Sequence, residues 1–127
     1  MDRWDNPHFD TWLERLPDDA ATEVRSAIEY LLEHGRGAQL DLVRHRIQIS
    51  AHYPDMSEVR ILYPARPHDL VLRVLTCFVH NDATLLVLIA GDKNEWARQR
   101  ATDWYNSHVP IADTITTHYL ANNPPDR

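Results

Sequence analysis

The chain has 127 residues, a net charge of −6 and one cysteine, so we expect a single domain that folds without an intramolecular disulfide. The charge argues against a simple nucleic-acid binder, although residues 1–35 carry a balance of −6 and residues 36–73 a balance of +2. The N-terminus has no apolar signal core, and the longest apolar run, Leu85–Ala90, is too short to cross a bilayer. These features predict a soluble, cytoplasmic protein.

The first 35 residues predict a pair of helices. Apolar residues recur at i, i+3, i+4 and i+7 between Phe9 and Leu16, which indicates a short amphipathic helix over Pro7–Leu16. Pro17 and the two acids after it favour the start of a second helix, which Gly35 would end. The result is an αα-hairpin with an apolar seam and a solvated acidic outer face.

The next predicted elements are strands. Residues 38–56 have irregular apolar spacing and indicate a loop or a short edge strand. Ser57–Tyr63 alternates in character, because Val59, Ile61 and Tyr63 fall on one face and Glu58, Arg60 and Leu62 fall on the other. This pattern predicts a strand with one buried face and a charged pair on the opposite face.

A long apolar hairpin is predicted at the centre of the sheet. Its strands are Leu70–Val79 and Thr84–Ala90, joined by a tight turn at His80-Asn81-Asp82-Ala83. Arg73 interrupts the first strand, and Lys93, the only lysine of the chain, follows the second. Cys77 lies inside an apolar strand and is interpreted as a small core residue.

Two helices are predicted after the hairpin. The first covers Glu95–Tyr105, Asn106-Ser107-His108 breaks it, and Pro110 opens a final helix to about Leu120. Residues 121–127 are expected to be a disordered tail. Helices segregated from a sequential antiparallel sheet predict an α+β, two-layer architecture, with a single domain over residues 1–127.

The motifs of the chain, taken in order, resemble a known family over roughly residues 4–120. They are Trp12–Leu16, Ile28–Gly35, Asp55–Arg60, Leu72–Phe78, Gly91-Asp92-Lys93, Trp104-Tyr105 and Val109-Pro110-Ile111-Ala112. Together they resemble the phage-derived Gp49-like proteins, which are HigB-type members of the RelE superfamily of toxins in type II toxin–antitoxin systems. The resemblance implies a RelE-like fold, with an N-terminal α-hairpin packed on a small antiparallel sheet and helices at the C-terminus. Only Arg3–Asn6 remain where the family has a strand ahead of the first helix, which leaves open whether that strand is present.

The same resemblance implies a function and partners. The expected activity is that of an mRNA interferase, a metal-independent endoribonuclease that cleaves messenger RNA, commonly on the ribosome, and so inhibits translation and growth. The expected partner is a cognate helix-turn-helix antitoxin of the HigA type, through which the complex can bind operator DNA. No cofactor and no metal are expected, since the histidines lack ligand-like spacing. The alternative is a non-catalytic protein of RelE fold that retains antitoxin or other protein binding.

Such cleavage needs an aligned 2′-hydroxyl, stabilisation of charge on the phosphorane and protonation of the 5′-oxygen. Arg60 and Arg73 are the first catalytic candidates, because a guanidinium can hold two phosphate oxygens and both residues match sheet arginines of the family. Lys93 is the third, as a phosphate contact or proton donor. Glu58 and His80 are candidate acid or base groups.

Further side chains are candidates for RNA binding rather than for chemistry. They are Arg44, Arg46, Tyr63 and Arg66. The structural interpretation of the strand arginines stays open as well, since Arg60 could pair with Glu58 and Arg73 with Asp69.

Overall fold

The computed structural model describes residues 1–39, 41–45, 47, 52–99 and 103–125. Within these ranges the helices and strands follow one another as β1 (Asp2–Asp5), α1 (Pro7–Glu14), α2 (Asp18–His34), β2 (Val43–Arg44), β3 (Met56–Tyr63), β4 (Leu70–Val79), β5 (Thr84–Asp92), α3 (Lys93–Gln99) and α4 (Trp104–Asn122). One turn of 3-10 helix, Gly35–Gly37, follows α2. The predicted α+β class is confirmed, and both strands of the predicted hairpin are present.

The described strands form one mixed sheet in the order β1-β5-β4-β3-β2. β2 to β5 pair antiparallel as predicted, whereas β1 pairs parallel with β5, placing Arg3 beside Leu85. The expectation of a purely antiparallel sheet is therefore wrong at this edge, and the strand ahead of the first helix is present. Backbone hydrogen bonds from Asp2 to Ala83 and from Asn6 to Val87 attach β1 to the sheet. Three of the four residues of β1 are charged, so the sequence has no apolar run that would predict this strand.

Apolar side chains are buried on both faces of the sheet. On one face α1 and α2 contribute Phe9, Val24 and Ile28 to a cluster with the strands. On the other face α4 contributes Trp104 and Val109, so α4 adds a further layer of helix opposite the N-terminal hairpin. Cys77 is buried in this second cluster, and burial raises the pKa of its thiol to about 12, as expected for a core residue.

The C-terminal region differs from the prediction. The chain is helical from Trp104 to Asn122 without a break at residues 106–108. The side chain of Asp103 accepts the backbone N–H of Asn106, and this cap sets the start of the helix at Trp104. Pro110 lies inside this helix and not at its start. An interior proline removes one backbone donor, and packing of the helix against the sheet outweighs that loss here. The predicted helix ends earlier, since α3 stops at Gln99 and residues 100–102 lie outside the described ranges.

The hairpin turn is held to the rest of the fold by an arginine. His80, Asn81 and Asp82 all have positive φ angles, of 55°, 56° and 64°, a conformation that asparagine and aspartate tolerate best. The guanidinium of Arg36 donates two hydrogen bonds to Asp82, at 2.7 and 2.8 Å, and pairs with Asp55 at 3.0 Å. These contacts connect the turn to the segment after α2.

Stability should depend on pH through this pair. The hydrogen bonds from Arg36 hold the pKa of Asp82 below its ordinary value of 3.8. Because the folded pKa is depressed, the stabilisation is present above pH 3.8 and is lost as the pH falls through the folded pKa. We expect Asp82→Asn to lower the free energy of unfolding at pH 7 by under about 1 kcal/mol, since the pair is partly exposed.

Urea unfolding of the parent and of Asp82→Asn at several pH values measures the difference in the free energy of unfolding between the two proteins. The difference between the two proteins should shrink as the pH drops below 3.8, and Asp41→Asn, in an exposed turn, is the control. A difference that is the same at pH 7 and at pH 2.5 would contradict the assignment.

Among the described helices, none combines the length and the apolar character needed to cross a membrane.

Candidate functional site

Charged side chains from three strands meet on the α4 face of the sheet. Glu58 and Arg60 lie two residues apart on β3 and share this face, as the alternation predicted. Arg60 is directly opposite Arg73 of β4, and Arg73 is opposite Gly91 of β5. The strand register therefore brings together the two arginines that were chosen as catalytic candidates.

A buried relay of hydrogen bonds lies beneath these arginines. The hydroxyl of Tyr105, at the start of α4, donates to Oε1 of Glu58 at 3.1 Å, and Nε of Arg73 donates to that same hydroxyl at 3.3 Å. Arg73 also donates to the carbonyl of Leu72 at 3.0 Å. Burial raises the pKa of Tyr105, and its hydrogen bond to Glu58 adds to the effect, so the phenol keeps its proton at neutral pH. The relay fixes Arg73 from two sides.

Arg60 and Arg44 approach the buried carboxylate, and Lys93 lies against the ring of Tyr105. Nε of Arg60 is 3.8 Å and Nη1 of Arg44 is 4.0 Å from Oε1 of Glu58, and their side chains are 43% and 51% exposed. Nζ of Lys93 lies 5.0 Å from the centre of the Tyr105 ring, a cation–π contact. Glu58 itself is fully buried, and its Oε2 has no hydrogen-bond partner among the described residues. Positive charge thus faces solvent above an internal anion.

Lys93 and Trp104 are positioned by the end of β5. Oδ1 of Asp92 accepts the backbone N–H groups of Asn94 and Val71, each at 3.0 Å, so it caps α3 and ties the strand end to β4. A Cβ on Gly91 would lie 2.6 Å from Nε1 of Trp104. The absence of a side chain at Gly91 therefore lets the indole, and with it the start of α4, approach the sheet.

Several candidates lie elsewhere. His80 is in the turn at the far end of β4, seven residues from Arg73 and therefore about 23 Å away along the strand, where its Nε2 contacts the carbonyl of Asn123. Tyr63 lies on the opposite face, against the cluster beneath α2. Arg66 is exposed in the loop between β3 and β4, and Arg46 lies outside the described residues.

Of the two ion pairs considered from the sequence, Arg60 with Glu58 and Arg73 with Asp69, the structure contains the first and not the second. Arg60 does approach Glu58, as stated above, so its predicted ion pair is present. Asp69 instead accepts the backbone N–H of Ala65 through Oδ1, at 3.2 Å, while Arg73 donates hydrogen bonds to Tyr105 and Leu72.

Within the described residues, no group of three histidine, cysteine or carboxylate side chains is arranged to hold a metal ion.

Sequence reasoning missed Tyr105 as a member of this site. The sequence placed it at the end of a predicted helix, and its ring does pack, edge to face, on Trp104 at 5.2 Å between ring centres. Its hydroxyl, however, joins Arg73 to Glu58 across 32 and 47 positions of the chain. The sequence marks Tyr105 only as part of the Trp104-Tyr105 motif, and that motif does not indicate which polar group the hydroxyl contacts.

Tyr105→Phe should destabilise the protein. The variant removes the hydroxyl donor and leaves the buried Glu58 with a further unpaired oxygen, which typically costs about 1–3 kcal/mol. Urea unfolding at neutral pH measures the loss. Tyr30→Phe is the control, because that hydroxyl accepts an exposed backbone N–H, from Gln39 at 3.2 Å. Equal effects of the two variants would contradict a buried relay.

Comparison with known proteins adds to this picture. The α+β fold is compatible with the class that the motifs indicated, the HigB-type toxins. The chain is 29% identical over 117 residues to a Mycobacterium tuberculosis protein named "Putative toxin HigB3", covering 91% of this chain and 90% of that protein. This similarity supports the resemblance to HigB-type toxins. No family model matches the chain.

Proposed function

We propose that the protein is the toxin of a toxin–antitoxin pair and that it cleaves messenger RNA with Arg60, Arg73 and Lys93. The observation that carries the proposal is the direct pairing of Arg60 and Arg73 across β3 and β4. Like charges directly opposite one another destabilise a sheet, and a phosphate bound between them would relieve the repulsion. The similarity to a protein named as a HigB toxin supports the same reading.

Each group has a distinct task in this proposal. Arg73, held by Tyr105 and Leu72, and the more exposed Arg60 bind the scissile phosphate and stabilise the negative charge of the phosphorane. Lys93, close to the Tyr105 ring, contacts the phosphate or protonates the 5′-oxygen as it leaves. Arg44 extends the cationic surface for neighbouring phosphates.

Glu58 is a positioning residue in the proposal, although the sequence suggested an acid or base. Its carboxylate is fully buried beneath Arg60 and accepts the Tyr105 hydroxyl, so it does not contact the substrate. A fixed anion at this depth orients the cations above it. The proposed partner of the whole protein is a cognate antitoxin, of the helix-turn-helix class implied by the motifs, and the proposed setting of cleavage is the ribosome.

Inducible expression of the full chain in bacteria tests the proposal. Growth and amino-acid incorporation should stop within one or two generations, and mapping of RNA 5′ ends should reveal new cuts in messenger RNA. Purified protein incubated with RNA alone in EDTA tests direct, metal-independent cleavage, and incubation with RNA and ribosomes in a magnesium buffer tests ribosome-dependent cleavage. Normal growth together with intact messenger RNA at high expression would contradict the proposal.

One observation favours a second candidate, a non-catalytic binding protein. The net charge of −6 lowers the affinity expected for a polyanion such as RNA, and Arg60 already has Glu58 as a partner. Under this alternative the antitoxin still binds, and no new RNA ends form. The expression experiment distinguishes the two.

A further inference from the structure

The strand β1 forms an outer edge of the sheet. It pairs in parallel with β5, and among the described residues no strand lies on its other side. The N–H groups of Asp2 and Asn6 point toward β5, since each donates to a backbone carbonyl there at 2.8 Å. Because alternate residues of a strand direct their backbone polar groups to the same edge, those of Arg3 and Asp5 point away from the sheet. The edge therefore offers backbone donors and acceptors to a further strand.

The side chains of β1 are aromatic on one face of the sheet and charged on the other. Trp4 is half-buried on the α4 face, with its ring centre 4.9 Å from that of Tyr119. Arg3 and Asp5 share the opposite face, where Nε of Arg3 donates to Oδ1 of Asp5 at 2.7 Å. Nη1 of Arg3 donates to Glu29 of α2 at 3.1 Å. Charges on an edge strand usually oppose pairing, but here the two charges of one face have opposite signs.

This order of charges makes β1 complementary to a second copy of itself. In an antiparallel pair, residues with outward backbone groups face one another in hydrogen-bonded pairs. Arg3 of each copy would then lie opposite Asp5 of the other, so that cations face anions across the new strand boundary. A shift of two residues would instead place Arg3 opposite Arg3, or Asp5 opposite Asp5. Repulsion of like charges therefore selects one alignment.

The same alignment places Trp4 of the two copies side by side. Its backbone groups point toward β5, so the two tryptophans would form a non-hydrogen-bonded pair on the two-fold axis, with Cα atoms about 4.5 Å apart. Aromatic residues at such positions stabilise a sheet. A groove of about 580 Å³ lies beside Trp4, and Pro7, Ile115 and Tyr119 are among its lining residues. It provides space for the indole of the second copy.

We infer that two copies of this chain associate through antiparallel pairing of their β1 strands. The interface is isologous, with the same residues contributed by both copies. A four-residue strand makes a small interface, so we expect association in the micromolar range. Because β5 lies between β1 and β4, Arg73 is separated from the paired edge by about 10 Å. The inference goes beyond the proposed function, since this association requires no RNA.

Sedimentation velocity of the untagged full chain, at concentrations from about 5 to 500 μM, tests for the dimer. We expect the dimer fraction to increase with concentration. Trp4→Ala should weaken the association at least tenfold, because it removes the aromatic pair at the two-fold axis. A parent that stays monomeric over the whole range, or a Trp4→Ala variant that associates as tightly as the parent, would overturn the inference.

Exchange of the charges tests the alignment. Arg3→Asp leaves two acids on this face of β1 and Asp5→Arg leaves two arginines, so each variant alone should be monomeric. An equal mixture of the two should form a heterodimer, because every facing pair again has opposite charges. Arg25→Asp and Asp41→Arg make the same changes at exposed positions elsewhere and should dimerise like the parent. A dimer that persists in either β1 variant, or a mixture that remains monomeric, would overturn the inference.

If circular dichroism shows that a charge variant is unfolded, cross-linking of Trp4→Cys replaces the exchange. Directly opposite residues in such a pair have Cβ atoms about 4.5–5.5 Å apart, so oxidation with diamide should join two copies through a disulfide. The native Cys77 is buried and does not compete. Arg25→Cys is the control and should remain largely uncross-linked. Equal cross-linking of the two variants, or none of Trp4→Cys, would overturn the inference.

Discussion

Replacing Arg73 by alanine should reduce RNA cleavage by about 100- to 1000-fold, the usual consequence of removing one group that stabilises charge in a transition state, and should relieve the growth arrest. The reason is geometric. Arg73 is held by the Tyr105 hydroxyl and the Leu72 carbonyl, so in the proposed mechanism its guanidinium is already oriented for the phosphate. The measurements are growth after induction and the rate of RNA cleavage by purified protein.

The control is Arg25→Ala, which removes the same charge from the exposed outer face of α2. Arg73→Lys separates charge from geometry, since lysine retains the charge and loses the planar fork, and it should still lose more than tenfold. Thermal unfolding should find Arg73→Ala folded, because the variant removes repulsion from Arg60 as well as two hydrogen bonds. Growth arrest by Arg73→Ala equal to that by Arg25→Ala would exclude the proposed role.

The sequence predicted β3 and its two faces well, because the alternation of polar and apolar residues within one strand is enough to assign its faces. The alternation from Ser57 to Tyr63 fixes which side chains share a face whatever the rest of the fold does, and Glu58 and Arg60 are found together. Register added the pairing of Arg60 with Arg73, which depends on loop and turn lengths that local patterns specify only in part.

Errors arose where distant contacts override local signals. Asn106, Ser107 and Pro110 read locally as a break and a new start, yet the cap at Asp103 and the burial of Trp104 set one continuous helix. The long hairpin carries His80 away from Arg73, and nothing in the sequence around Tyr105 identifies Glu58 as its partner. The polar contacts of the site are therefore a property of the assembled fold.

Replacing Gly91 by alanine should lower the free energy of unfolding by about 1–3 kcal/mol, the usual cost of overpacking a well-filled core. The added Cβ would sit 2.6 Å from Nε1 of Trp104, a side chain only 2% exposed. The indole cannot simply rotate away, because the ring of His108 stacks on it at 4.4 Å. Relief therefore requires the start of α4 to move off the sheet, and Tyr105 would move with it.

Urea unfolding followed by tryptophan fluorescence measures the change in stability, and RNA cleavage by the folded variant measures the displacement of Tyr105. We expect both to fall, although Gly91 contacts no substrate in the proposed mechanism. Gly37→Ala is the matched control, since a Cβ there would have no atom within 4 Å, and that variant should be neutral or slightly more stable. If Gly91→Ala were as stable as Gly37→Ala, close contact of Trp104 with β5 would not hold the start of α4 in place. If it were destabilised but cleaved RNA at the parent rate, the hydroxyl of Tyr105 would have no part in orienting Arg73.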